Sequence, residues 1–190
     1  MLIRDYVADA MRTAKPMPDP AGDLEHAALG FITEIGELAT EVKRTRIYLK
    51  ALDREHFAEE IGDVLWYWAL AANHLLLVNN ATFSAVQAEV TEALQEGLTV
   101  DVHLSRLVRR LAANAGEFAA LVEVEQHTEA AERLRDMLQC LVAACCVLGL
   151  NTAHCANDNI QKLRTRFPEK FTEAAAEARA DKGGLSARES

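Results

Sequence analysis

Basic residues are in short supply: 20 Lys and Arg stand against 29 Asp and Glu, a formal net charge of -9 over 190 residues. A nucleic-acid polymer normally demands a basic patch or stripe, so this balance argues against one as a partner. A single nucleotide is different, because metal ions can carry its charge. Cysteine is sparse as well. Cys140, Cys145, Cys146 and Cys155 lack the C-x-x-C spacing of zinc or redox sites, and three of them fall in one apolar stretch. Buried free thiols in a reducing compartment are the expectation. No hydrophobic run is long: Val64 to Val78 and Met137 to Leu150 fall short of the roughly 20 residues needed to cross a bilayer. The opening Met-Leu-Ile-Arg-Asp is not the basic and then apolar leader of a secreted chain. No membrane partner and a cytoplasmic location are therefore expected. Three of the four prolines, Pro16, Pro18 and Pro20, crowd together, which marks 15–22 as an extended connector. Glu-x-x-His is absent, and the two Asp-x-x-His cases, Asp23 with His26 and Asp53 with His56, stand at expected helix starts. Oxygen-activating di-iron bundles are built on Glu-x-x-His pairs, so that chemistry is set aside.

What the chain does have is apolar residues, half of the total, and they fall in helical stripes. Leu24, Ala28, Phe31, Ile35, Leu38 and Val42 alternate spacings of three and four, the pattern of a core-facing seam. Phe57, Ile61, Val64, Trp68, Ala71 and Leu75 do the same on a second helix. Asp23 is expected to cap the first helix, which should run to about Leu49, and Asp53 the second, to about Asn79.

Beside each seam runs an acidic row. Glu34-x-x-Glu37 and Glu60-x-x-Asp63 each place two carboxylates about 5 to 6 Å apart on a helix surface. At the shoulder of two packed helices they would share a cleft, where Gly30 and Ala27 leave room for a ligand. Hard oxygen donors suit Mg²⁺ or Mn²⁺ better than zinc. Glu41, one turn past Glu37, is expected in solvent, and His26 outside the site. Thr82 to Gly97 reads as a further helix ended by glycine.

The stretches HAALGFITEIGELATEVK and LDREHFAEEIGDVLWYW, down to Gly36, Gly62 and the Trp66-Tyr67 pair, resemble the MazG-like, all-α nucleoside triphosphate pyrophosphohydrolases, in particular phage-type members related to dimeric dUTPases. The resemblance implies an antiparallel helical bundle that releases pyrophosphate and a monophosphate. Glu34, Glu37, Glu60 and Asp63 would be the metal ligands and catalytic acids. Tyr67 would hold the nucleotide, with Trp66 as core or base-stacking wall and Trp68 as core. The run NIQKLRTRFPEKF resembles the closing segment of the family, in which Lys162, Asn159 and Arg166 would reach substrate phosphates. Lys43 could hold the triphosphate tail. The resemblance also implies a homodimer and a role in clearing unwanted nucleotides. A dUTP- or dCTP-selective enzyme and a catalytically silent helical module that binds nucleotide or protein are the alternatives.

A self-similarity points to duplication. ANAGEFAALV at 113–122 echoes TEIGELATEV at 33–42, and 132–144 echoes 59–71. Glu117 and Asp136 align with Glu37 and Asp63, but Asn114 replaces Glu34 and Arg133 replaces Glu60. Residues 1–97 would then be a catalytic repeat and 98–180 a degenerate one within a single all-α domain, followed by a loose tail at 181–190. Arg133 is expected to pair with Glu117 or Asp136 in place of a metal.

Overall fold

The first seam is buried along its whole length: Leu24, Ala28, Phe31, Ile35, Leu38 and Val42 all face inward from α2 (Pro20–Arg46). Phe57, Ile61, Val64, Trp68 and Ala71 do the same on α3 (Arg54–His74). The two helices pack on one another across this shared layer. Fully burying a side chain such as Phe31 or Phe57 contributes about 1.5–3 kcal/mol. The computed structural model describes residues 1–75, 77, 81–94 and 99–178. Within them, α1 (Ile3–Met11), α4 (Phe83–Ala93), α5 (Val100–Glu123), α6 (His127–Leu148), α7 (Thr152–Arg166) and α8 (Glu173–Ala178) complete an all-α bundle. The expected tail at 181–190 lies outside the described residues, as do the expected ends of the second helix at Asn79 and of the next at Gly97. No single helix among the described residues is long and apolar enough to cross a membrane.

α5 and α6 form a second hairpin that packs on the first, α5 against α2 and α6 against α3. Trp68 joins the two: it is buried and its Nε1 donates to the Leu134 carbonyl at 2.8 Å. At the end of α6, Gly149 takes the left-handed conformation (φ 63°), and α7 leaves at an angle of 105° to α6. That turn lays α7 across α3. A Cβ on Gly62 would stand 3.0 Å from Asn159 Cβ and 3.1 Å from the Cys155 carbonyl, so the glycine permits the close crossing that brings Asn159 and Lys162 over the acids.

Two local expectations are corrected. The cap of α2 is Asp19, whose side chain accepts from Gly22 N at 2.8 Å, and Pro20 opens the helix. Asp23 sits one turn later. Proline needs no hydrogen-bond partner in a first turn, so Pro20 begins the helix and does not prolong the connector. At its other end α2 stops at Arg46, and Leu49 has a positive φ of 52°. Asp53 caps α3 as expected, accepting from His56 N at 3.0 Å. All four cysteines are free, and Cys140, Cys145 and Cys155 are buried.

Candidate functional site

The acids meet where α2 and α3 adjoin. Glu34, Glu60 and Asp63 each present a carboxylate oxygen within 4.8 Å of the others. Glu60 is buried, Glu34 and Asp63 half-buried, and all three lie at a cavity of about 530 Å³. Glu37 lines the same cavity from an exposed position but is not one of the three that converge.

The crowding has an electrostatic price. Burial, followed by the charges of Asp63, Glu34 and Glu59, raises the Glu60 carboxyl from 4.5 to about 8. Its Oε1 lies 3.4 Å from His56 Nδ1, while Oε2 is buried without a hydrogen-bond partner. Three close carboxylates with one orphaned oxygen fit a divalent ion of the Mg²⁺ type, which takes hard oxygen donors and supplies the missing positive charge.

Lys162 and Asn159, both expected over the phosphates, are engaged by Asp63. Lys162 Nζ stands 2.6 and 2.7 Å from the two Asp63 oxygens and 3.2 Å from Glu59, and Asn159 Nδ2 donates to Asp63 Oδ1 at 2.6 Å. Although burial works against its charge, these acids raise the Lys162 pKa. Arg166 also lines the cavity, with its guanidinium donating to the Ala176 carbonyl at 3.1 Å. Lys43 is exposed and outside the cavity lining.

Trp66 and Tyr67 form one wall, their ring centroids 5.0 Å apart edge to face. Trp66 is fixed by its Nε1, which donates to Thr13 Oγ1 at 3.0 Å. The space above Gly30 is taken by the Tyr67 ring: a Cβ on Gly30 would stand 2.1 Å from Tyr67 Cε1 and 2.2 Å from Cδ1. Burial and the charges of Glu34 and Asp63 push the Tyr67 hydroxyl pKa up, so it stays a neutral donor.

Three further features escaped the sequence reading. Glu41 is buried, 2 % exposed, with Arg44 on its Oε1; an arginine one turn on along the same helix supplies a cation that permits burial. His26 lines the cavity, packed edge to face against Trp66 and Tyr67. Phe167 and Phe171 also line it, held there because Phe171 N donates to the Arg12 carbonyl at 3.3 Å and Arg12 Nη2 to the Glu169 carbonyl at 3.1 Å. For His26, Phe167 and Phe171 the i,i+3 and i,i+4 patterns that expose the acids carry no signal, since their contacts join segments far apart in the chain.

Searches of curated proteins and of solved structures returned no match. Residues 24–96, which contain nearly all of α2 and the whole of α3, match the model of the MazG nucleotide pyrophosphohydrolase domain. The hairpin that gathers Glu34, Glu60 and Asp63 thus belongs to an all-α MazG-family pyrophosphohydrolase domain.

Proposed function

We propose that the protein is a metal-dependent nucleoside triphosphate pyrophosphohydrolase, converting a (d)NTP and water into a (d)NMP and pyrophosphate. The convergence of Glu34, Glu60 and Asp63 within 4.8 Å at the base of an aromatic-walled cavity carries this reading. These three, with Glu37 beside them, would hold Mg²⁺ or Mn²⁺. When bound, such an ion neutralises the carboxylates, screens the triphosphate and lowers the pKa of a coordinated water.

The chain's own groups do the positioning. Lys162, Asn159 and Arg166 bind the phosphate oxygens, where charge gathers in the transition state. Lys162 has a second acidic partner in Glu59, so its ammonium can turn from Asp63 without losing every ion pair. Tyr67 donates a hydrogen bond to the nucleotide and keeps its proton, and Trp66 offers a flat face to the base. Lys43 contributes only to a phosphate tail that leaves the cavity. A house-cleaning role and a homodimer belong to the same proposal and rest on the resemblance to dimeric phage-type enzymes; selectivity for dUTP or dCTP is an alternative within it. A cytoplasmic location is proposed with them.

We also infer that α5–α6 is a degenerate copy of α2–α3. Arg133 Nη1 lies 3.4 Å from Glu117 and 3.5 Å from Asp136, so a fixed cation takes the place a metal would fill. The test of the main reading is direct: protein with Mg²⁺ and a nucleotide panel should release pyrophosphate. Orthophosphate alone would reassign the reaction. The Lys162 ammonium on both Asp63 oxygens favours a second reading, a silent nucleotide-binding module, and binding without turnover would establish it.

A further inference from the structure

His26 lies eight residues before Glu34 on α2, about 12 Å along the helix axis, and both line the same cavity. One end of that cavity is therefore acidic and the other aromatic, a span comparable with an extended nucleotide from its phosphate chain to its base. The imidazole is half-buried, 6.0 Å from the Trp66 ring and 5.6 Å from Tyr67, edge to face with both. Its Nδ1 is buried without a hydrogen-bond partner. A buried N–H with no acceptor is rarer than a buried lone pair with no donor, so the proton resides on Nε2. Nε2 has no partner among the described residues and is the nitrogen left to face the cavity. Burial lowers the ring's pKa, which keeps it neutral.

We infer that His26 is a specificity-determining residue: its Nε2–H donates to a ring carbonyl oxygen of the nucleobase, favouring oxo bases such as uracil and guanine over adenine, which has no carbonyl. This rests on the pyrophosphohydrolase reading and adds the base class to it.

The test is calorimetric titration with Mg²⁺ and the non-hydrolysable α,β-imido analogues of dUTP, dGTP and dATP, alongside pyrophosphate release from the parent nucleotides. The wild-type protein should bind the uracil and guanine analogues about tenfold more tightly than the adenine analogue, the worth of one neutral hydrogen bond. His26→Phe keeps an aromatic ring and removes the donor, and should level the three. His26→Gln, which retains an N–H, should keep part of the preference. An intact preference in His26→Phe, or a uniform loss across all three bases, overturns the inference while pyrophosphate release stands. Failure to bind any analogue overturns both readings.

Discussion

On α2–α3 the cation that reaches the acids, Lys162, is borrowed from α7 and sits at the edge of the cluster, while Glu60 Oε2 is left unpartnered. On α5–α6 the cation is native to the hairpin, Arg133, and it meets Glu117 and Asp136 at once. The first arrangement leaves negative charge unmet and a carboxyl raised to about 8. In the second, one guanidinium is shared between the two carboxylates. Two hairpins of one bundle thus treat their acids differently: one leaves a cluster open to an external cation, and the other answers its acids with an arginine of its own.

The sharpest way to break this comparison is to remove one acid from each hairpin. Asp63→Asn should lower the pyrophosphate-release kcat by about 10²–10³-fold, with the helical circular-dichroism signal unchanged, and Glu117→Gln should leave turnover nearly intact. Equal losses would show that the second hairpin is also catalytic.

The next effect concerns pH. Because the folded-state pKa of Glu60 lies above its ordinary value of 4.5, at about 8, its contribution is fully present below pH 4.5 and is lost as pH rises through 8. In EDTA, urea unfolding should show a loss on the order of a few kcal/mol between pH 5 and 8.5. Glu60→Gln should flatten that slope, and Mn²⁺ should stabilise the wild-type protein more at pH 8 than at pH 5.5. A slope unchanged in Glu60→Gln would remove Glu60 as its source.

Glycines sharpen the comparison at a smaller scale. Gly30→Ala drives a methyl into the Tyr67 ring and should cost about 1–3 kcal/mol, with KM rising as Tyr67 is displaced. Gly36 and Gly116 occupy corresponding places on α2 and α5, and a Cβ at either meets nothing within 4 Å. Alanine there should stabilise each helix by about 0.5–1 kcal/mol, read as a higher Tm. Smallest of all, Arg133→Gln should cost under about 1 kcal/mol, since the Glu117 side chain is 62 % exposed and water screens the pair.

Much of the site was legible because it is local. Apolar spacing exposed both seams, and spacings of three put Glu60 beside Asp63 and predicted the side of α2 from which Glu34 faces them. Asp53 announced its helix by the usual capping chemistry. What could not be read depends on partners distant in sequence. Lys162 and Asn159 were expected over phosphate, yet they rest on Asp63 because Gly149 and Gly62 bring α7 so close. The place of Gly30 depended on where the Tyr67 ring falls, and that of His26 on its packing against Trp66 and Tyr67. Glu41 was misread for another reason: a carboxylate is usually solvated, and only its pairing with Arg44 reverses that expectation.

The separation of 99 positions between Asp63 and Lys162 has a consequence for biogenesis. During synthesis the acidic hairpin leaves the ribosome well before the helix bearing its counter-charge, and closing so long a loop is entropically slow. Until α7 docks, the nascent hairpin must tolerate its own repulsion or recruit a soluble ion. Divalent cations in the medium should therefore speed maturation as well as any later chemistry.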